Sequence, residues 1–149
     1  MKPFFDHEKL NVYQVSLRFN AWVGDLLREV IERAAVKDQL DRAATSICLN
    51  IAEGNGKFSR KDRARYFDSS RGSALESASC LDVLVSRRLV TDERVAAGKQ
   101  MLFETVNMLM GLLRRLGYDF DTGEWSAVVR EDSPELSESF EQEQEQDKE

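Results

Sequence analysis

The stretch Gly54-Asn-Gly-Lys57 is the first place to look for chemistry, because glycines ahead of a lysine let backbone amides cradle a phosphate. A Walker-type loop needs a glycine five residues before the Gly-Lys pair, an incoming strand and a hydroxyl residue directly after the lysine. Here those places hold Ile51, a helical approach and Phe58, so the nucleotide loop is rejected on three counts. Glu53 and Glu76 are the carboxylates that would pair for acid and base work. No nucleophile stands beside a base, however, and His7, the only histidine, lies at the N-terminus. Di-iron bundles need two Glu-x-x-His pairs, and structural zinc needs four ligands in close pairs. One histidine and two cysteines, Cys48 and Cys80, meet neither requirement. The sequence is therefore read as non-enzymatic, with no catalytic residue, no metal ligand and no cofactor.

Two further groups of polar residues stand out. Arg42, Ser46, Asn50 and Glu53 recur at steps of four, four and three, which places them on one stripe of an otherwise apolar helix. Arg71, with Ser73 and Glu76, interrupts a second apolar seam among small residues. A buried arginine there needs a carboxylate, since an isolated interior charge costs several kcal/mol. Glu53 and Glu76 are the expected partners, and the group is read as a structural polar network that fixes helix register or subunit pairing.

The second group is cationic. Lys57, Arg60, Lys61, Arg63 and Arg65 face Asp62 alone within one short stretch. With Phe58 or Tyr66 for stacking, such a cluster suits a phosphate backbone or an unpaired base. The alternative is an ordinary solvated helix start.

The elements that must position these residues are helical. No proline occurs between Phe5 and Gly117, and apolar residues recur at helical rather than alternating spacing. The pattern predicts helices from about Glu8 to Ala35, from Asp38 to a left-handed Gly54, from the cap Ser59 to Leu89, and from Thr91 or Asp92 to Leu116. Short connections make neighbours antiparallel, giving an all-α, up-down-up-down four-helix bundle. That topology brings Lys2, Lys9, Arg114 and Arg115 to the cationic end.

Helices one and four each carry a second apolar stripe: Leu10, Tyr13, Leu17, Leu27 and Ile31 on the first, Met101, Phe103, Met108, Met110 and Leu112 on the fourth. Two apolar faces on one helix predict either a subunit interface or a thick core, and a homo-oligomer is the expectation taken forward.

Charge divides the chain. Of a net −6, residues 131–149 supply nine acidic groups against Lys148, whereas residues 1–130 hold 20 basic and 18 acidic groups. The organisation read from this is a bundle domain over 1–130 and a disordered acidic tail over 131–149, which leaves from the cationic end and is a candidate competitor for it. Nothing at the N-terminus resembles a signal peptide or a membrane span, so a soluble, cytoplasmic chain with reduced thiols and no membrane partner is expected.

The residues Leu10-Asn-Val-Tyr-Gln14, Gln39-Leu-x-Arg-Ala-Ala-x-Ser-Ile-x-x-Asn-Ile-Ala-Glu-Gly-x-Gly56, Ser59-x-Lys61 and Arg71-Gly-Ser-x-x-Glu76 resemble a bacterial four-helix bundle family. Its members include proteins encoded in intervening sequences of large-subunit ribosomal RNA genes and the accessory variability determinants of diversity-generating retroelements. The resemblance implies a ring, typically a pentamer, without enzymatic activity. It also implies, from the retroelement members, binding of RNA or DNA and of a reverse transcriptase through a basic surface. The chain departs from the family at Cys48 and at Val36-Lys37, where many members carry proline, and in its acidic tail.

Overall fold

The structure, a computed structural model, describes residues 2–126. The predicted domain boundary at 130 and the acidic tail lie outside the described residues. A single 3-10 turn, Asp6–Lys9, leads into four helices: α1 (Asn11–Glu29), α2 (Ala35–Gly56), α3 (Arg60–Ser86) and α4 (Asp92–Arg115). They form the expected antiparallel bundle. Asp6 accepts a hydrogen bond from Asn55 at 3.0 Å, which joins the start of the chain to the end of α2. At the opposite end, Arg94 at the start of α4 bonds Glu29 at the end of α1, at 2.7 and 2.8 Å.

The helix starts follow local chemistry. Ser59 accepts the amide of Asp62 and Thr91 that of Arg94, each satisfying one of the donors a helix start leaves open. Two predicted boundaries are corrected. α1 stops at Glu29, not Ala35, because Val30 turns extended and drops into the core, leaving Ile31 facing outward. Gly54 does not end α2 in a left-handed conformation, since only Gly117 and Gly123 among the glycines have positive φ. Its role is close approach: a Cβ there would lie 2.9 Å from Tyr66 Cβ and 3.0 Å from the Phe67 ring.

Phe19, Leu26, Leu40, Ile47, Ile51, Phe67, Leu81, Leu84, Leu109 and Leu113 are almost fully buried and draw on all four helices. Most of the second stripes serve the same core. Leu10, Tyr13, Leu27, Met101, Met108 and Leu112 are half-buried against it, leaving Leu17, Ile31 and Phe103 exposed. The bundle is thus thicker on its α1 and α4 side than a single seam per helix would make it.

One element was not foreseen. After Gly117 the chain forms a small antiparallel hairpin, β1 (Tyr118–Asp119) and β2 (Glu124–Trp125), with Tyr118 opposite Trp125. Asp119 accepts the amides of Asp121 and Thr122, which shapes the turn, and Gly123 supplies the positive φ that it needs. Tyr118 packs on Trp125 and Phe120, with ring centroids 4.6 and 4.7 Å apart.

Candidate nucleic-acid interface

Three residues, Lys57 to Ser59, connect α2 to α3, and the cationic cluster begins there. Lys57 takes an extended backbone that ends α2, and Ser59 caps α3. Arg60 and Lys61 therefore stand in the first turn of α3, both exposed and neither in an ion pair among the described residues. A helix start carries partial positive charge, so two cations are disfavoured there, and only Asp62 has the sign the dipole prefers. The helix dipole therefore does not favour this placement.

The remaining predicted contact residues divide by environment. Arg65 pairs with Asp62 at 3.5 Å, an exposed contact of small worth, and lies over the Tyr66 ring at 5.6 Å. Lys57 lies over the same ring at 5.0 Å. Tyr66, one of two aromatic residues expected to stack on a base, is thus occupied by two cations; the other, Phe58, is 65% exposed. Arg63 is half-buried, and its Nε is buried without a hydrogen-bond partner among the described residues. The amide of Asn55, then the nearby charges of Lys9 and Arg63, hold Asp6 below the usual carboxylate range.

Arg114 and Arg115 close α4 and are exposed, with Arg114 over the Phe120 ring at 4.9 Å. The hairpin that follows them brings Asp119, Asp121 and Glu124 to the same part of the chain. The cationic field is therefore concentrated at the start of α3 and diluted beyond α4.

The polar network is real in part. Asn50 donates to the carbonyl and hydroxyl oxygens of Ser46, and Ser73 donates to the Ser46 hydroxyl, all at 2.9 Å. Ser70 adds a buried bond to the Ile47 carbonyl. These contacts knit α2 to α3. Arg42 and Glu53 are exposed and stand apart from it. Arg71 bonds neither predicted partner: its guanidinium meets Asp68, one turn back on its own helix, at 2.9 and 3.2 Å. Glu76 is exposed and accepts from Gln39 at 3.2 Å. Small residues let the two helices meet through hydroxyls, so no long-range ion pair is needed to satisfy the seam.

The family model for 23S rRNA-intervening sequence proteins matches residues 8–111, from the 3-10 turn through most of α4. The chain belongs to the 23S rRNA-intervening sequence protein family. The match covers the Ser46–Asn50–Ser73 contacts and the cationic start of α3, and it stops before Arg114, Arg115 and the hairpin. Among solved structures, the chain is similar to a protein of unknown function from the S23 ribosomal protein family of Bacteroides thetaiotaomicron. The two share 23% identity with a TM-score of 0.66, over 69% of this chain and 98% of that one, which supports the fold. No curated protein matches the chain. Among the described residues no helix is long and apolar enough to cross a membrane.

Sequence reasoning missed Phe4 and Phe5 at this end. Both rings are exposed, and both amides donate to the carboxylate of Glu8, at 2.7 and 2.6 Å. The spacing of Phe5 and Glu8, an acidic residue three positions on, is the signal that was available.

Proposed function

We propose that this member of the 23S rRNA-intervening sequence family is a non-enzymatic bundle that binds RNA, alone or within a ribonucleoprotein partner, through the end formed by Lys57 to Arg65. The observation that carries the reading is the pair Arg60 and Lys61, exposed and without ion pairs among the described residues, in a helix turn whose dipole disfavours them. No catalytic role is assigned to the thiols: burial pushes Cys48 and Cys80 up, which disfavours the thiolate.

Assembly belongs to the same proposal. A closed ring would repeat the cationic end in each subunit and make a weak single-site contact multivalent. Exposed Leu17, Ile31, Leu49, Leu75 and Phe103 are among the apolar side chains available to a neighbouring copy. The ring is proposed as a pentamer on the family resemblance. A reverse transcriptase is one protein partner that the same resemblance implies.

The test is binding of a fluorescent RNA followed through a salt titration. Contact with several phosphates gives a log–log slope of about −0.7 to −0.9 per phosphate, and R60E/K61E/R63E abolishes binding while light scattering shows the same particle mass. A flat salt response would support the second reading, an adaptor that engages protein through apolar side chains such as Phe103, which is 64% exposed on α4.

A further inference from the structure

Aliphatic Leu17, Ile31, Leu49 and Leu75 lie singly on the helices and the α1–α2 connection, and Phe103 lies alone on α4. Phe4 and Phe5, 86 and 66% exposed, are chain neighbours at the cationic end. The bond between Asp6 and Asn55 holds the N-terminal turn against the last turn of α2, three residues before Phe58.

This N-terminal segment is built, not loose. The Glu8 carboxylate receives both the Phe4 and Phe5 amides, and these bonds hold it below its ordinary range. Phe5 stacks parallel to His7, at 5.8 Å and 8° between ring planes. His7 in turn meets the half-buried Tyr13 edge-on, at 4.8 Å. Phe5 is thus the outer member of an aromatic column rooted on α1. Packing within the protein explains Tyr13 and His7 but leaves the Phe5 and Phe4 rings open.

The geometry points to a stacking platform for unpaired nucleotides, in which Phe4 and Phe5 take base faces while Arg60 and Lys61 take the adjoining phosphates. Aromatic faces can be used only by a base that has left its helix, because bases in a duplex are covered above and below by their neighbours. The site therefore selects an unpaired stretch of RNA over a duplex. A surface that read phosphate alone would do the reverse, since the duplex carries the denser charge. This inference rests on the reading of the cationic end as an RNA interface and adds the class of RNA that it takes.

The test uses the full chain, a single-stranded 12-nucleotide RNA of mixed sequence and a 12-base-pair RNA duplex, with affinities from fluorescence anisotropy. The unaltered chain is expected to prefer the single strand. In F4L/F5L, single-strand affinity falls about 10- to 100-fold, while duplex affinity and the salt slope stay as they were. Both side chains are exposed, and an unchanged melting temperature shows that the variant keeps its fold. A single strand carrying 5-iodouracil should also photo-crosslink to Phe4 or Phe5.

Preference for the duplex, or no loss of single-strand affinity in the variant, overturns the platform. An equal loss for both RNAs overturns it too. If R60E/K61E still weakens both RNAs in those cases, the interface reading survives without the platform. If the unaltered chain binds neither RNA at low salt, the interface reading itself falls and the platform falls with it.

Discussion

The indole of Trp22 on α1 occupies the space that a side chain at position 98 of α4 would need. A Cβ built on Gly98 would lie 2.3 Å from two carbons of the Trp22 six-membered ring. The guanidinium of Arg94, one turn earlier on α4, lies over the same indole at 5.4 Å and is bound by Glu29. Gly98 thus lets α1 and α4 approach far enough for Trp22, Arg94 and Glu29 to meet.

Gly98→Ala should therefore destabilise the bundle although alanine is the better helix former. Overpacking costs about 1–3 kcal/mol, against a propensity gain of ~1 kcal/mol. Gly111, on the same helix with nothing within 4 Å of a built Cβ, is the control. Gly111→Ala should raise stability by about 0.5–1 kcal/mol. Urea titrations of the two variants should move in opposite directions, and a Gly98→Ala midpoint at or above that of the unaltered chain would refute the role given to Trp22.

The Glu29–Arg94 bridge sets a pH dependence of known sign. The Arg94 hydrogen bonds, then its charge, lower the Glu29 carboxyl below its ordinary value of 4.5. A lowered folded-state value means the contribution is complete above about pH 4.5 and is lost as pH falls through the lower value. Glu29→Gln should be less stable than the unaltered chain at pH 7, and the gap should close in acid. A gap that is constant from pH 7 to pH 3 would remove the bridge from the account.

Both cysteines are buried, and burial pushes both thiols up. Cys48 is also held by the Asn20 amide, with nitrogen and sulfur 2.9 Å apart. A disulfide reagent at pH 8 should label neither thiol quickly in the folded protein and both in denaturant. Fast reaction of either under native conditions would show an opening that the packing does not contain.

The sequence beyond residue 130 bears nine carboxylates and one lysine, and we propose that it competes with RNA for the cationic end. Changing those glutamates and aspartates to glutamine and asparagine in the full chain should raise RNA affinity at low salt and have little effect at high salt. Equal affinities at low salt would discard the competition.

What could be read from sequence was what short-range chemistry decides. Ser59 and Thr91 announce helix starts because their caps reach only three residues on, and the apolar spacing of α2 and α4 fixes which face is inward. The cationic turn was legible for the same reason. Partnerships across the bundle were not. Arg71 was given a distant carboxylate, although Asp68 stood one turn away on the same face. The broad faces of α1 and α4 read as outward, because a sequence does not state how deeply Met101, Met108 and Leu112 lie against the core. The hairpin did have a signal, the alternation from Tyr118 to Phe120 and the Thr-Gly turn before Glu124 and Trp125, but it lay beyond the glycine that closes the last helix.

The hydroxyl seam between α2 and α3 has a mechanical consequence. Sliding α3 by one helical turn, about 5.4 Å, would part the Ser46–Ser73 and Ser70–Ile47 bonds together and strand a buried hydroxyl against carbon. The pair is locked in one register, like a ratchet with a single tooth engaged. A tug on the connection between them is therefore carried down both rods to the far end of the molecule instead of being absorbed as slippage where it was applied.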